Sequence, residues 1–300
     1  MMPWCYAHSG LSIVSAFEIP EWTQFALEEV VETPDAVIKL DPTRYLDGEN
    51  SVKVNPDELL FTVSETATYW VRAGFEITVC PAPGAGWREV RLFLLGSAWS
   101  ALCYQRDILV LHASAVRIGD RAVAFCGAPG QGKSSLAACL VARGCSFVSD
   151  DLCRIDLNIP GRAMIYPSTP RLKLRSDMLA RLGRQDDRLE PDHVSSGKVQ
   201  QPIPGADRAP VALRAIYLLT WGDLNILKKT GSLALSHLVK AATFRPEFLE
   251  PMGKLGVYWQ QCLALSQRVP VWQFQRPRDL NALDDTVHAL LEHLATEVDA

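Results

Sequence analysis

Gly127-Ala128-Pro129-Gly130-Gln131-Gly132-Lys133-Ser134 combines residue types and spacing that chemistry can use. It fits the pattern G-x-x-x-x-G-K-[ST] without substitution, and the physics behind that pattern is phosphate binding. Glycines let backbone N–H groups converge on phosphate oxygens. A helix begun at Ser134 and Ser135 would turn its positive end toward the same anion. Lys133 supplies a mobile point charge for β and γ phosphates, and the Ser134 hydroxyl can ligate Mg²⁺. A chance match would be an ordinary glycine-rich turn. Here the stretch lies between a strand-like run and a helix-like run, the context in which the loop works. The ligand expected is a nucleoside triphosphate, ATP with Mg²⁺.

Asp150 and Asp151 follow Lys133 by seventeen and eighteen residues and end the next strand-like run. Adjacent carboxylates in that place can divide labour: one holds Mg²⁺, directly or through water, and the other takes a proton from an attacking hydroxyl. The bland alternative is a solvated Asp pair in a turn, where Asp is common. Arg171 and Lys173 alternate in Pro170-Arg171-Leu172-Lys173-Leu174, so a strand there puts both on one face, either solvated or set to neutralise phosphate charge. Lys198 and Arg245 are further cations to place. His112 follows an apolar run; taken alone, a histidine there is more often structural. The other histidines show no ligand spacing.

The elements that must position these residues can be read from periodicity. Residues 1 to 90 read as β-rich, with strands at 11–15, 36–40, 59–63, 67–71 and 75–79 and a turn at 81–86. Residues 88–105 read as a helix whose shared face carries Val90, Phe93, Leu94, Ser97, Ala101 and Leu102. From Asp107 the order is an apolar run, His112, a strand, the hairpin turn Gly119-Asp120, the strand 121–126, the glycine-rich loop, a helix over 135–143 stopped by Gly144, and a strand over 145–149. Strand, loop, helix, strand and carboxylates make an α/β nucleotide-binding unit. Further on, a strand is expected at 215–220, helices at 233–243 and 251–265, a strand at 269–274, and an amphipathic helix over 281–298 with Leu283, Val287, Leu290, Leu291 and Leu294 inward. The polar stretch 183–210 reads as a loop. The expected division is a β-rich region over 1–90 and a kinase domain over 91–300.

Composition bounds the rest. The 300 residues are 48% hydrophobic and 21% charged, enough for a sizeable core. A net charge of -4 argues against a nucleic-acid surface. The eight cysteines have neither C-x-x-C spacing nor a zinc-like cluster with histidine, which suits a reducing cytoplasm. The longest apolar run, 92–104, falls short of the ~20 residues a membrane span needs, so no membrane partner is expected.

The order His112, hairpin, Gly127 to Ser134, helix, Val148-Ser149-Asp150-Asp151 resembles the catalytic domain of HPr kinase/phosphorylase over about forty residues. The resemblance implies an α/β P-loop kinase fold related to phosphoenolpyruvate carboxykinase and ATP-dependent phosphorylation of a protein serine. It assigns phosphate to Lys133, Mg²⁺ to Ser134, proton acceptance to Asp151 and assistance to His112, which leaves Asp150 with the metal. The family's hexamers raise a homo-oligomer as an expectation. Its Glu-Arg-Gly signature is absent; Pro170-Arg171-Leu172-Lys173 stands there, so the phosphorylase direction is not carried over. The first ninety residues do not look like that family's regulatory domain. The whole chain is similar to HPr-kinase-like proteins of lasso-peptide biosynthetic clusters, through Gly10 to Ser15, Leu111 to Val116, Pro170 to Leu174, Val269-Pro270-Val271 and Arg276-Pro277-Arg278-Asp279-Leu280. That implies a precursor peptide with an acceptor serine as the partner. A small-molecule kinase and a non-catalytic nucleotide-binding module are the alternatives.

Overall fold

Runs of β-branched and aromatic residues punctuated by Asp, Gly and Pro give a strand-rich chain with a mixed α/β architecture. The structure, a computed structural model, describes residues 3–184, 197–204, 206 and 208–296. They form two units: one of residues 3–110, 154–156 and 243–262, the other of the described residues within 111–153, 157–242 and 263–296.

The first unit holds β1 (Trp4–His8), β2 (Leu11–Ser15), β3 (Ala36–Leu40), β4 (Ser51–Val54), β5 (Glu58–Val63), β6 (Ala67–Arg72) and β7 (Glu76–Pro81). They make a seven-stranded sheet in the order β1-β2-β3-β7-β6-β5-β4. The five strands expected before residue 80 are all present; β1 and β4 are additional. Helices α1 (Trp87–Phe93) and α2 (Trp99–Gln105) flank a π-helical turn at Leu94–Ala98. The extra residue per turn breaks the 3.6 period. Val90, Leu94 and Ser97 are buried as expected, but Phe93 is half-buried and α2 is buried from Trp99 through Tyr104, so the single face foreseen over 88–105 is corrected.

Strand β8 (Leu109–Leu111) carries the chain out of the first unit. The second unit builds its site on β9 (Ala113–Ile118), β10 (Arg121–Cys126), α3 (Lys133–Ala142) and β11 (Ser146–Asp150). After β12 (Cys153–Asp156) come β13 (Met164–Ile165), β14 (Arg171–Arg175), α4 (Ser176–Arg181), β15 (Lys198–Pro202), β16 (Val211–Trp221), β17 (Asn225–Lys229) and α5 (Gly231–Ala242). The short α6 (Pro246–Leu249) belongs to the first unit, and α7 (Leu255–Arg268) leads back to β18 (Val271–Arg276) and α8 (Leu283–Thr296) of the second. The helix expected from Pro251 starts at Leu255, because Gly253, at φ 68°, sits in the turn that ends α6.

Within the second unit the strands run side by side as β11, β9, β10, β16, β18 and β17. The pair β9–β10 is antiparallel across the Gly119-Asp120 turn, whereas β10–β16 and β16–β18 are parallel. Val123, Phe125, Tyr217 and Phe274 from these strands share a core with Leu136, Ala137 and Leu140 of α3 and Leu283, Val287, Leu290 and Leu294 of α8. Leu291 is half-buried beside them, and residues 297–300, on which the expected end of α8 falls, lie outside the described residues. The stretch 183–210 is not all loop: β15 pairs with β14 from Arg171↔Pro202 to Arg175↔Lys198. That pairing links segments far apart in sequence, so local polarity gave no sign of it; residues 185–196, 205 and 207 lie outside the described residues. Among the described residues, no helix is long and apolar enough to cross a membrane.

Candidate active site

Strand direction decides which side chains meet. Because β10, β16 and β18 are mutually parallel and β9 is antiparallel to both β10 and β11, one edge of the sheet collects five chain positions. These are the C-terminal ends of β11, β10, β16 and β18 and the start of β9. In spatial order they present Asp150-Asp151, His112, the glycine-rich loop, Trp221 and Arg276. Ligands of open α/β sheets bind at the carboxyl ends of the strands for this reason. A cleft of about 550 Å³ lies there, lined among others by His112, Lys133, Ser134, Asp150, Asp151, Lys173 and Arg276.

The loop leaves β10 at Cys126 and enters α3 at Lys133. Gly130 and Gly132 take φ values of 84° and 71°, the left-handed region that a Cβ makes costly. Gly127 N–H donates to the Ala241 carbonyl (3.1 Å) and Gln131 N–H to the Ala128 carbonyl (3.1 Å), fixing the loop at both shoulders. Lys133, 8% exposed, donates from Nζ to the Gly127 carbonyl at 2.8 Å. Burial lowers its pKa, and Asp151 and Asp150 are among the groups that oppose that shift.

Asp150 is the most heavily bonded member. Its Oδ1 accepts from the Ser114 and Ser134 hydroxyls, the latter at 3.0 Å, and its Oδ2 accepts from the Lys173 N–H at 3.1 Å. Burial pushes its pKa up and the neighbouring Asp151 adds to the rise, while these hydrogen bonds oppose it. Asp151 sits at φ 73°, unusual for a residue with a side chain. Its Oδ2 pairs with Lys173 Nζ at 2.8 Å and its Oδ1 lies 3.5 Å from His112 Nε2. Burial alone would raise its pKa, but Lys173 first, with His112 and Lys133, holds it well below the usual carboxylate range. Burial and the Lys133 charge bring His112 down to about 4 against the pull of Asp151. His112 is therefore neutral at pH 7, and Lys173 is the cation that keeps Asp151 ionised.

An oxygen-seeking divalent ion fits here. Mg²⁺ binds through one or two carboxylates, substrate phosphates and water, with no need of an all-protein cage. Ser134 Oγ and the Asp150 carboxylate offer that pair of oxygens. No group of three or more His, Cys, Asp or Glu suited to a metal occurs among the described residues.

The structure thus gathers Pro129, Gly130, Gly132, Lys133, Ser134, Ser135, Asp150, Asp151, Lys173 and His112 on one cleft, with Lys198 beside them. Gly127, Ala128 and Gln131 belong to the loop but not to the cleft lining. Arg171 is also outside the lining: it shares the face of β14 with Lys173, yet its Nη1 bonds Gln200 Oε1 at 2.6 Å. Arg245 lies in the first unit, where it donates to Ser97 Oγ at 3.1 Å. Sequence reasoning missed Ser114, Trp221 and Arg276 as site residues. Alternation along β9 would have put Ser114 on the same edge, but only the register Ser114↔Asp150 makes it a partner of Asp150.

No protein-family model matches this chain, and no curated protein matches it. Among solved structures, the chain is similar to the Hpr(Ser) kinase/phosphatase from Coxiella burnetii, at a TM-score of 0.38 and 14% identity over 64% of this chain and 93% of that one. A TM-score of that size does not establish a shared fold, so the cleft itself must carry the functional reading.

Proposed function

We propose that the second unit transfers the γ-phosphoryl group of ATP, bound with Mg²⁺, to a hydroxyl of a peptide or protein. The observation that carries this reading is the convergence of Lys133 and Ser134, at the start of α3, with Asp150, Asp151 and Lys173 on one cleft edge. Phosphoryl transfer needs positioning and charge neutralisation more than covalent help from the protein. The loop amides and Lys133 would hold the β and γ phosphates. Ser134 and Asp150 would hold Mg²⁺, which neutralises phosphate charge. The acceptor oxygen bonds to the γ phosphorus, the bond from that phosphorus to the β,γ-bridging oxygen breaks, ADP departs, and Asp151 takes the acceptor's proton. Lys173, 2.8 Å from Asp151, is near enough to share its charge with the transferring group. Ser135 adds an N–H at the same helix end, while Arg171 supports β14 from outside the cleft.

The acceptor class rests on the sequence resemblance to HPr-kinase-like proteins of lasso-peptide clusters, which favours a serine of a precursor peptide. The test is intact mass spectrometry of such a peptide after incubation with ATP, Mg²⁺ and the protein, with Asp151→Asn and Lys133→Ala in parallel. One added phosphoryl group on serine is expected. Asp151→Asn should slow transfer by about 10²-fold or more while sparing nucleotide binding, whereas Lys133→Ala should lose both. Full turnover in Asp151→Asn removes Asp151 from its role. ATP binding with no transfer to any peptide would replace the kinase reading with a nucleotide-binding module or a small-molecule acceptor.

A further inference from the structure

Arg276 ends β18, far in sequence from every residue the motif supplies, and it is 3% exposed. Its partner strand β16 ends in register, Trp221↔Arg276, and the guanidinium lies over the Trp221 ring at 4.4 Å. From there Nη2 donates to the carbonyl of Gln131, inside the phosphate loop. The same nitrogen would lie 2.7 Å from a Cβ added to Gly132. The loop, the guanidinium and the indole are therefore packed in series, and a side chain at Gly132, already disfavoured by its φ of 71°, would also meet Arg276.

The charge is the informative part. No carboxylate pairs with Arg276 among the described residues, and its Nε is buried without a hydrogen-bond partner. One carbonyl and one ring compensate a buried charge only in part, and the remainder costs free energy, so a purely structural residue at this place would be better apolar. The cost makes sense if an anion arrives. Arg276 lines the cleft beside Gly130, Gly132 and Lys133, where phosphate charge is expected.

We propose that Arg276 is a positioning residue of the phosphate loop, which orients the Gln131-Gly132 peptide and supplies a buried positive charge completed only by bound polyphosphate. The inference rests on the phosphate reading of the cleft. A guanidinium clamped on a carbonyl fixes the direction of the next amide, and stacking on Trp221 keeps the guanidinium from turning away. The loop amides are thus held for the anion before it binds, at the expense of stability in its absence.

The experiment measures, for the full chain, binding of MgATP and of inorganic tripolyphosphate by calorimetry, and the melting temperature without ligand. The proteins are wild type, Arg276→Met and Arg276→Lys. Wild type binding neither probe overturns the phosphate reading itself, whatever the variants do. With wild-type binding established, Arg276→Met is expected to lose affinity for both probes by about tenfold or more, the effect of a charge-assisted contact. Its ligand-free melting temperature should stay equal or rise, because a buried unpaired charge has gone. Arg276→Lys keeps the charge without the fork and should fall between the two in affinity. Undiminished affinity in Arg276→Met overturns the proposal. So does a large drop in ligand-free melting temperature in both variants, which would make Arg276 structural only. If Arg276→Met does not fold, Arg276→Lys decides: wild-type affinity rejects the proposal, and weakened affinity at an unchanged melting temperature supports it.

Discussion

At the scale of single residues, the site turns on how Asp151 is kept ionised. Burial favours its protonated form, and Lys173 reverses that preference more than any other group. The carboxyl pKa is held below its ordinary value, so proton acceptance by Asp151 should not fade on mild acidification. Replacing Lys173 with Met removes the main charge opposing burial, so the Asp151 pKa must rise. The wild-type rate of phosphoryl transfer should therefore be flat from about pH 8 to pH 6, whereas Lys173→Met should show a rate that falls as pH falls. Rate profiles of the two proteins at saturating MgATP make the comparison. A flat profile in Lys173→Met would mean that Lys173 does not govern Asp151. In the wild type His112 contributes nothing in that range, because its own pKa is brought down to about 4.

At the scale of elements, the loop, β16 and β18 form one packed device, and its two left-handed glycines separate strain from contact. Gly130 and Gly132 have similar φ values, but a Cβ at Gly130 meets open space, while one at Gly132 meets Arg276. Gly130→Ala should therefore cost only backbone strain, about 1–2 kcal/mol. Gly132→Ala should cost that and a displaced guanidinium besides, with a larger loss of MgATP affinity. Chemical denaturation and calorimetry measure both, and equal losses in the two variants would deny the contact. The loop and its strand–helix setting were legible in the sequence, since glycine spacing and the strand Arg121–Cys126 are local signals. The alternation of Leu172 and Leu174 inward with Arg171 and Lys173 outward was legible for the same reason. What could not be read was register. Arg276 reaches Gln131 only because β18 lies parallel to β16 and β16 parallel to β10, and no local period encodes that. The separation of Arg171 from Lys173 likewise depends on Gln200 of β15, in a stretch whose polarity suggested loop.

At the scale of the whole molecule, stability carries a pH sensitivity that lies away from the cleft, in the first unit. His8 is 5% exposed and stacked on Trp22 at 4.4 Å, with Phe25 and Trp99 edge-on at 4.9 and 5.6 Å. Neither ring nitrogen has a hydrogen-bond partner among the described residues. Burial brings the His8 pKa down to about 3, with the Arg154 charge adding to it. An unfolded His8 takes up a proton as pH falls through about 6.5, whereas the folded one does not until near 3. The unfolded state thus binds more protons across that window, and stability must fall as pH is lowered through it. Carboxylates held down by partners, such as Glu76 at about 2, add their own loss only at lower pH, below the ordinary carboxylate pKa. Between pH 7 and pH 5 the histidines dominate, and one fully shifted histidine accounts for about 2 kcal/mol. His8→Leu keeps an apolar side chain in the aromatic box and removes the titration. The variant should lose about 2 kcal/mol less than wild type between pH 7 and pH 5 in urea unfolding followed by tryptophan fluorescence, a probe that includes Trp22 and Trp99. Because the difference is taken between pH values, any packing change common to both conditions cancels. An identical pH dependence in the two proteins would show that the box admits a proton or a partner for His8 after all.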